Sequence, residues 1–181
     1  MAPGVQVAED TARGIAPRFT DDGDVTPDRV ALVADGHDAG SLISPRSAAE
    51  YGLVANAGDG EHPSSLSLAA GGLPTAEASL LAAIDDGLWI GNLWYLNYSD
   101  RNACRMTGMT RFACFRVQGG RITAPIEPMR FDDALTRLLG PALLGLGDDA
   151  RFMPSSDTWG SRHLQSVRAP GGLVEGLRFT S

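Results

Sequence analysis

Short segments in which hydrophobic and polar residues alternate run along much of the chain, and a period of two is typical of β-strands. Glycines separate several of these segments, as turn residues do between the strands of a hairpin. The predicted strands are residues 29–35 and 41–44 around a turn at Gly36 and Gly40, 66–68, 111–117 and 121–126 around Gly119-Gly120, and 173–180. The two segment pairs that flank glycines are predicted to be β-hairpins.

Three segments carry the signals of short α-helices. The first starts at Ser44, which suits the N-cap, continues with Pro45 and ends at Gly52. The second covers residues 75–86, where a threonine can cap the start and a glycine follows the end. The third covers residues 131–139, before a Gly-Pro pair. Because strands and helices do not alternate as βαβ units, we predict an α+β fold of mostly antiparallel sheet with a few short helices.

A chain of 181 residues is long enough for one domain with a sizeable core. Residues 1–27 combine scattered prolines and glycines with acidic residues, so we expect a loop or a poorly ordered lead-in there. The folded domain is then expected to span residues 28–181.

The segment Leu88–Tyr98 (LWIGNLWYLNY) is the most aromatic part of the chain and is predicted to be one long strand. Its aromatic side chains can line a groove for an extended peptide, which would pair with an open sheet edge. Large residues occur at both odd and even positions, which instead favours a strand that is covered on both faces. The sequence leaves both interpretations open.

Charge and composition narrow the class of protein. The net charge is −7, whereas general nucleic-acid binding requires a basic surface. All 15 basic residues are arginine, which fits either bidentate anion sites or a GC-rich genome. No apolar run reaches the roughly 18 residues of a membrane-spanning helix. We therefore expect a cytoplasmic protein that binds neither nucleic acid nor membrane.

No metal site is predicted. The three histidines, His37, His62 and His163, do not form an H-E-x-x-H or H-E-x-x-x-H motif, in which the ligands lie one helical turn apart. A site assembled in space from His37, neighbouring aspartates or Cys104 stays open, but Asp35–Asp38 has the composition of a turn.

The sequence does not mark either cysteine as a catalytic nucleophile. Cys114 alternates within a strand pattern and is expected to be buried, whereas Cys104 lies in a polar segment and is the more accessible thiol. Neither has an evident base beside it in the sequence, and no G-x-S-x-G motif is present. An unrelated small hydrolase that uses Cys104 remains an alternative.

Several motifs follow one another in a fixed order. Between Gly87 and Gly140 a D-G-L strand start leads to an aromatic strand, a polar loop, Thr107-Gly108, a second aromatic strand, a glycine turn and a T-x-P-I strand. Upstream stand Asp21-Asp22-Gly23 and the segment Ser44–Gly52. This order resembles the C-terminal domain of the TldD/PmbA metallopeptidase family, once labelled modulators of DNA gyrase.

The resemblance implies part of a two-domain cytoplasmic protease that works on unfolded or modified peptides. Family members act as a homodimer or as a heterodimer of a catalytic and a metal-free subunit. In complete catalytic members, zinc is held by an H-E-x-x-x-H helix of the N-terminal domain, and some members add a Cys ligand from the C-terminal domain.

This chain departs from the catalytic pattern. It contains no H-E-x-x-x-H motif, and residues 157–163, which correspond to the Cys-containing loop, contain no Cys. We therefore expect a metal-free domain that contributes a peptide cleft and dimer contacts to proteolysis but is not a peptidase alone. The alternative is a catalytic component completed by a separate H-E-x-x-x-H chain.

The candidate peptide-binding residues are Asn97, Thr107, Gly108, Thr110 and Arg111. Residues 107–111 are predicted to form a polar loop between two aromatic strands, and loops on rigid supports often carry binding residues. A plain connection between strands is the alternative interpretation.

Overall fold

The structure, a computed structural model, describes residues 1–58, 60–74 and 77–180, with the backbone alone for residues 77 and 78. The chain forms two compact units. The first unit comprises Met1–Ala2, Gly71–Asp148 and Gly171–Ser181, and the second comprises Pro3–Ala70 and Asp149–Pro170. As predicted, the fold is α+β, with mostly antiparallel sheets and short helices. None of the described helices is long and apolar enough to cross a membrane.

The second unit is built on one six-stranded sheet. Side by side, its strands are β12 (Arg151–Pro154), β13 (Ser166–Ala169), β4 (Ser65–Leu68), β1 (Val7–Glu9), β2 (Val30–Ala34) and β3 (His37–Asp38). Every neighbouring pair is antiparallel except β13 with β4, which is parallel.

The lead-in predicted over residues 1–27 requires a correction, because β1 pairs with both β4 and β2 inside this sheet. Ala8 in this strand and Val5 just before it are buried, with 0% and 1% exposure. The strand has only three residues, too few for the alternation of hydrophobic and polar positions to stand out among the surrounding prolines and glycines. Ordered structure therefore begins well before residue 28.

The first helix confirms its predicted caps. Helix α1 spans Pro45–Tyr51, the Ser44 side chain accepts a hydrogen bond from the Ser47 backbone N–H at 3.2 Å, and Gly52 adopts a left-handed φ of 66°. The hairpin predicted before it is confirmed only in part. A turn at Asp35-Gly36, both with positive φ, leads directly into β3, so residues 41–44 are not its second strand.

The first unit holds three smaller sheets. A four-stranded sheet has the order β15 (Phe179–Thr180), β10 (Arg130–Ala134), β7 (Arg105–Thr110) and β6 (Leu93–Asp100). The other two are β5 (Asp86–Ile90), β8 (Cys114–Gln118) and β9 (Arg121–Pro125), and β11 (Leu143–Leu146) with β14 (Gly172–Val174). The hairpin β8–β9 was predicted, and its turn residues Gly119 and Gly120 both have positive φ.

The prediction of one long strand over residues 88–98 is wrong. Strand β5 ends at Ile90, and after Gly91-Asn92 the chain forms β6 in another sheet. The Gly91 N–H donates to the Ala113 carbonyl at 3.0 Å, and a Cβ on Gly91 would lie only 2.3 Å from that oxygen. Only glycine permits this close approach. The polar loop predicted over residues 107–111 is also corrected, since residues 107–110 belong to strand β7.

The helices of the first unit are shorter than predicted. Helix α2 spans Glu77–Ala82, and the predicted cap Thr75 lies outside the described residues. In the segment predicted as a helix over residues 131–139, the first part is β10 and only Leu135–Leu138 is helical, as α3. The predicted closing strand over residues 173–180 is divided between β14 and β15, which lie in different sheets.

Candidate functional site

Strand β6 forms an edge of the four-stranded sheet and is exposed along its whole length. All eight of its residues are exposed, including Trp94 at 44% and Tyr95 at 71%. In the part of the chain that the structure describes, β6 pairs with β7 alone. The interpretation of this aromatic segment as a strand covered on both faces is therefore wrong for β6. Exposed aromatic side chains that are close together are typical of interaction surfaces.

The edge of β6 is irregular. Its register with β7 shifts between Trp94 and Asn97 and again between Tyr98 and Asp100, and Tyr95 has a left-handed φ of 51°. Such bulges interrupt the ladder of hydrogen bonds and turn side chains in new directions. A ligand of this strand would therefore contact its exposed side chains more than its backbone.

Arg111 lies among three aromatic rings that we call the aromatic cluster: Trp94, Tyr95 and Phe112. Its guanidinium carbon is 5.8, 5.9 and 5.2 Å from the three ring centroids, respectively. The Trp94 ring also meets the other two edge-to-face, at centroid distances of 6.0 and 6.3 Å. These distances fit cation–π and aromatic pairing, which hold the exposed side chains in a defined arrangement.

Strand β10 of the four-stranded sheet turns successive side chains to a buried face and to an outer face, because side chains alternate along a strand. Phe131 and Asp133 on β10 are buried at 3% and 0% exposure, whereas Arg130 and Asp132 point to the other, outer face. The register places Met109 opposite Arg130 and Thr107 opposite Asp132. The outer face therefore presents polar, charged and apolar side chains together.

Two adjoining depressions lie on this sheet. One, of about 780 Å³, is mainly apolar and is lined by residues that include Tyr95, Met109, Met129 and Phe179. The other, of about 830 Å³, is lined by residues that include Arg105, Arg130, Asp132 and Arg178. Thr107, Arg130, Phe179 and Thr180 line both of them.

The structure places the five predicted site residues close together, on β6, on β7 and just after it. Asn97 is exposed, and Thr107 is partly exposed with its hydroxyl donating to the Phe131 carbonyl at 2.9 Å. Gly108 is buried, and a Cβ on it would lie 2.8 Å from the Phe131 ring. A larger residue at this position would therefore disturb the packing under the sheet.

Thr110 and Arg111 differ in their exposure to solvent. Thr110 is completely buried, and its hydroxyl oxygen accepts a hydrogen bond from the Met129 N–H at 2.8 Å. Its side chain can therefore support the strand but does not reach a ligand. Arg111 is exposed at the centre of the aromatic cluster. Peptide binding at these positions remains a prediction.

Sequence reasoning did not single out Phe112, Arg130 or Arg178. Phe112 is 71% exposed with a left-handed φ of 61°, which places its ring beside Arg111. Arg130 and Arg178 line the same depression because β10 lies beside β15. The polar–apolar–polar order of Arg130, Phe131 and Asp132 was the available signal for a strand there.

An ion pair between buried Asp133 and partly exposed Arg137 lies beneath the outer face. Asp133 is fully buried, and its carboxylate accepts hydrogen bonds from Arg137 Nε at 2.9 Å and Nη2 at 2.6 Å. These bonds, together with smaller effects of the Arg178 and Ala134 N–H groups, lower the pKa of Asp133 to about 2 against the opposing effect of burial. The second unit buries Glu9 instead, and there burial raises the pKa, although the N–H groups of Ser65 and Ser64 lower it.

The described residues contain no group of three His, Cys, Asp or Glu side chains close enough to hold a metal ion. His37 Nδ1 lies 2.8 Å from the Asp35 carbonyl, and His163 Nε2 lies 3.1 Å from the Trp159 carbonyl. As predicted, Cys104 is exposed and Cys114 is buried.

Comparison with known families gives a match over the full length. The profile of the PmbA/TldA metallopeptidase C-terminal domain matches residues 1–181. The chain belongs to the TldD/PmbA family. This confirms the resemblance noted from the motif order. Comparison with curated proteins gives no match.

Solved structures of TldD/PmbA-type proteins share the fold. TldE from Thermococcus kodakarensis is similar with a TM-score of 0.80 at 14% identity, over 99% of this chain and 40% of that one. A putative modulator of DNA gyrase from Thermotoga maritima MSB8 gives 0.74 at 19% identity, over 99% and 40%. Another from Bacteroides thetaiotaomicron VPI-5482 gives 0.72 at 18% identity, over 99% and 37%. The chain thus spans about two fifths of the length of these proteins.

Proposed function

We propose that this domain contributes a peptide-binding cleft and subunit contacts to a cytoplasmic proteolytic assembly of the TldD/PmbA type, and that it has no metal centre of its own. The single observation that carries the proposal is the fully exposed strand β6 with Arg111 and the aromatic cluster beside it. The substrate is an unfolded peptide, and the partner is a second copy or another member of the family.

The composition of this surface supports binding. Tryptophan, tyrosine and arginine are the residues that most often carry the binding energy of protein interfaces. Here Trp94, Tyr95 and Arg111 are in mutual contact and exposed, so a partner can cover them without breaking the core. The mainly apolar depression at Tyr95 extends this surface onto the sheet. A bulky apolar side chain of an unfolded peptide would fit there.

Zinc does not enter the proposed role of this chain. The described residues do not bring three metal-binding side chains together, whereas a catalytic zinc site normally uses three protein ligands. No step of peptide hydrolysis is assigned to them. A family partner that carries the H-E-x-x-x-H helix would supply the catalytic metal.

Peptide binding can be tested by substituting Arg111. A fluorescein-labelled unstructured peptide containing Phe is titrated with a complex reconstituted from this chain and a zinc-containing family partner, and anisotropy is measured. Arg111→Ala removes the group that orders the aromatic cluster, so we expect affinity to fall about tenfold. Arg121→Ala, which removes an exposed arginine on β9, is the matched control. Equal affinity in the two variants would exclude the cleft assignment.

Subunit contact is tested separately by sedimentation at micromolar concentration. Trp94→Asp places a charge in the exposed aromatic cluster and is expected to dissociate the dimer while the circular dichroism spectrum is retained. Trp159→Asp, at a tryptophan that is 89% exposed in the second unit, is the control. A wild-type protein that sediments as a monomer of 19.0 kDa and binds no family partner would exclude this role.

A further inference from the structure

The second depression on the outer face is positively charged. Arg105, Arg130 and Arg178 line it, together with one acid, Asp132. Asp132 Oδ1 lies 3.0 Å from Arg105 Nε and offsets that charge. Within the described ranges, Arg130 and Arg178 form no ion pair. Two unpaired arginines thus share one depression in a chain whose net charge is −7.

The strand register brings these two arginines close together. Arg130 on β10 lies opposite Thr180 on β15, and the Asp132 N–H donates to the Arg178 carbonyl at 3.0 Å. Arg178 is therefore diagonal to Arg130 across adjacent strands, where Cα atoms are roughly 7–8 Å apart. Guanidinium groups at this spacing can both reach one carboxylate, with which arginine forms paired hydrogen bonds.

Hydrogen bonds from the buried face of the sheet hold the backbone of Arg178 in place. Asp133 Oδ2 accepts a hydrogen bond from the Arg178 N–H at 3.1 Å. Arg137, paired with Asp133, donates to the carbonyl of Glu175 at 3.3 Å and to that of Gly176. The Asp133–Arg137 ion pair therefore holds residues 175–178 in place before any ligand arrives, which reduces the entropy lost on binding.

A site for an apolar group adjoins the arginines. The first depression, with Tyr95, Met109 and Phe179 in its lining, shares Arg130 and Thr107 with the charged one. A ligand that spans both needs a negative charge next to a bulky apolar group. An unfolded peptide with neighbouring acidic and apolar residues has this chemistry.

We propose that Arg130 and Arg178 bind a carboxylate of the peptide while the adjoining depression binds a large apolar side chain. The inference rests on the proposed function and narrows its substrate to peptides in which an acidic residue, or the C-terminal carboxylate, lies beside an apolar residue. Arg130 and Arg178 are then the residues that determine specificity, and the Asp133–Arg137 pair positions the second of them.

The test varies the peptide first, because this leaves the protein unchanged. Three fluorescein-labelled Gly-Ser peptides carry an internal Phe-Glu, Phe-Gln or Ala-Glu pair. Two more end in Phe, one as the free acid and one as the amide. Each peptide is titrated with the same reconstituted complex. Loss of one charge-assisted contact is expected to weaken binding about fivefold, so Phe-Glu should bind more tightly than Phe-Gln. Preference for the free acid over the amide would instead identify the C-terminal carboxylate as the source.

Variants of the protein then locate the contact. Arg130→Gln and Arg178→Gln should each abolish the preference for Phe-Glu over Phe-Gln and leave the affinity for Phe-Gln unchanged. Arg121→Gln removes the same charge elsewhere on the first unit and should retain the preference. The preference should also decrease as salt concentration rises, because exposed charges are screened.

The outcomes separate this inference from the proposed function. If no peptide binds at all, the proposed function fails. If all peptides bind with equal affinity, or if both arginine variants keep the preference for the acidic peptide, only the carboxylate site is excluded. Competition by inorganic phosphate without any preference among the peptides would likewise overturn it.

Discussion

Asp133 in the first unit and Glu9 in the second are both buried carboxylates, and their surroundings move their pKa values in opposite directions. Asp133 in the first unit has the guanidinium of Arg137 against it, and its pKa is lowered to about 2. Glu9 in the second unit accepts hydrogen bonds from the Ser64 and Ser65 N–H groups and precedes Asp10, which is also buried. Burial, and to a smaller extent the charge of Asp10, raises the pKa of Glu9. At Glu9 the backbone donors do not outweigh burial and the neighbouring acid, whereas at Asp133 the guanidinium of Arg137 together with backbone donors outweighs burial.

The difference also separates two uses of a buried charge. Glu9 ties strand β1 to the start of β4 and lies far in sequence from any candidate binding residue. Asp133 instead connects the sheet to the segment that carries Arg178. The strong pair thus lies beneath the candidate site, and the weaker arrangement serves the fold of the second unit.

Of the changes at these two carboxylates, Asp133→Ala is expected to have the largest effect on stability. The substitution removes the partner of Arg137 and leaves the Arg178 N–H without its acceptor, so the free energy of unfolding should decrease by about 3 kcal/mol. Chemical denaturation followed by circular dichroism measures this. Asp132→Ala, which breaks the more exposed pair with Arg105, is the control and should cost less than about 1 kcal/mol. Equal losses would show that burial of the pair is unimportant.

A change of pH should affect the two carboxylates in opposite senses. Asp133 has a lowered pKa, so its contribution to stability is present above its usual pKa of 3.8 and is lost as pH falls towards about 2. Glu9 has a raised pKa, so the folded state is favoured below its usual value of 4.5 and loses that advantage as pH rises. Hydrogen exchange at the Arg178 and Ser65 amides reports each site. Parallel trends at the two amides would contradict this assignment.

The smallest effect is expected from Glu9→Gln. The amide can still accept a backbone hydrogen bond, but its NH₂ group must face a donor, while the cost of burying a charge disappears. These effects oppose each other, so the free energy of unfolding at neutral pH should change by less than about 1 kcal/mol. A loss as large as that of Asp133→Ala would mean that Glu9 has an ionic partner in solution.

Local signals in the sequence were enough for some elements. The ends of α1 follow from Ser44, Pro45 and Gly52, because capping depends only on residues within one turn. The Gly119-Gly120 turn likewise predicts its hairpin. The order of motifs was enough to identify the family, whose C-terminal domain profile matches residues 1–181.

Contacts between distant segments could not be predicted. The break in the aromatic segment depends on how closely Gly91 approaches Ala113, and nothing near Gly91 in the sequence encodes that distance. The candidate site was predicted in part, since Arg111 was named. Its neighbour Phe112 was not, because its left-handed φ is unusual for a bulky residue. Arg130 and Arg178 required the pairing of β10 with β15.

The bulged edge of β6 has a consequence for solubility. A flat, aromatic edge strand would be a template for stacking identical chains into a cross-β fibre, in which each backbone group pairs with the chain above and below. The left-handed turn at Tyr95 and the two register shifts interrupt that ladder. The aromatic side chains of β6 are thus exposed on a backbone that does not offer a regular ladder to a second copy, which is how native edge strands commonly avoid edge-to-edge pairing.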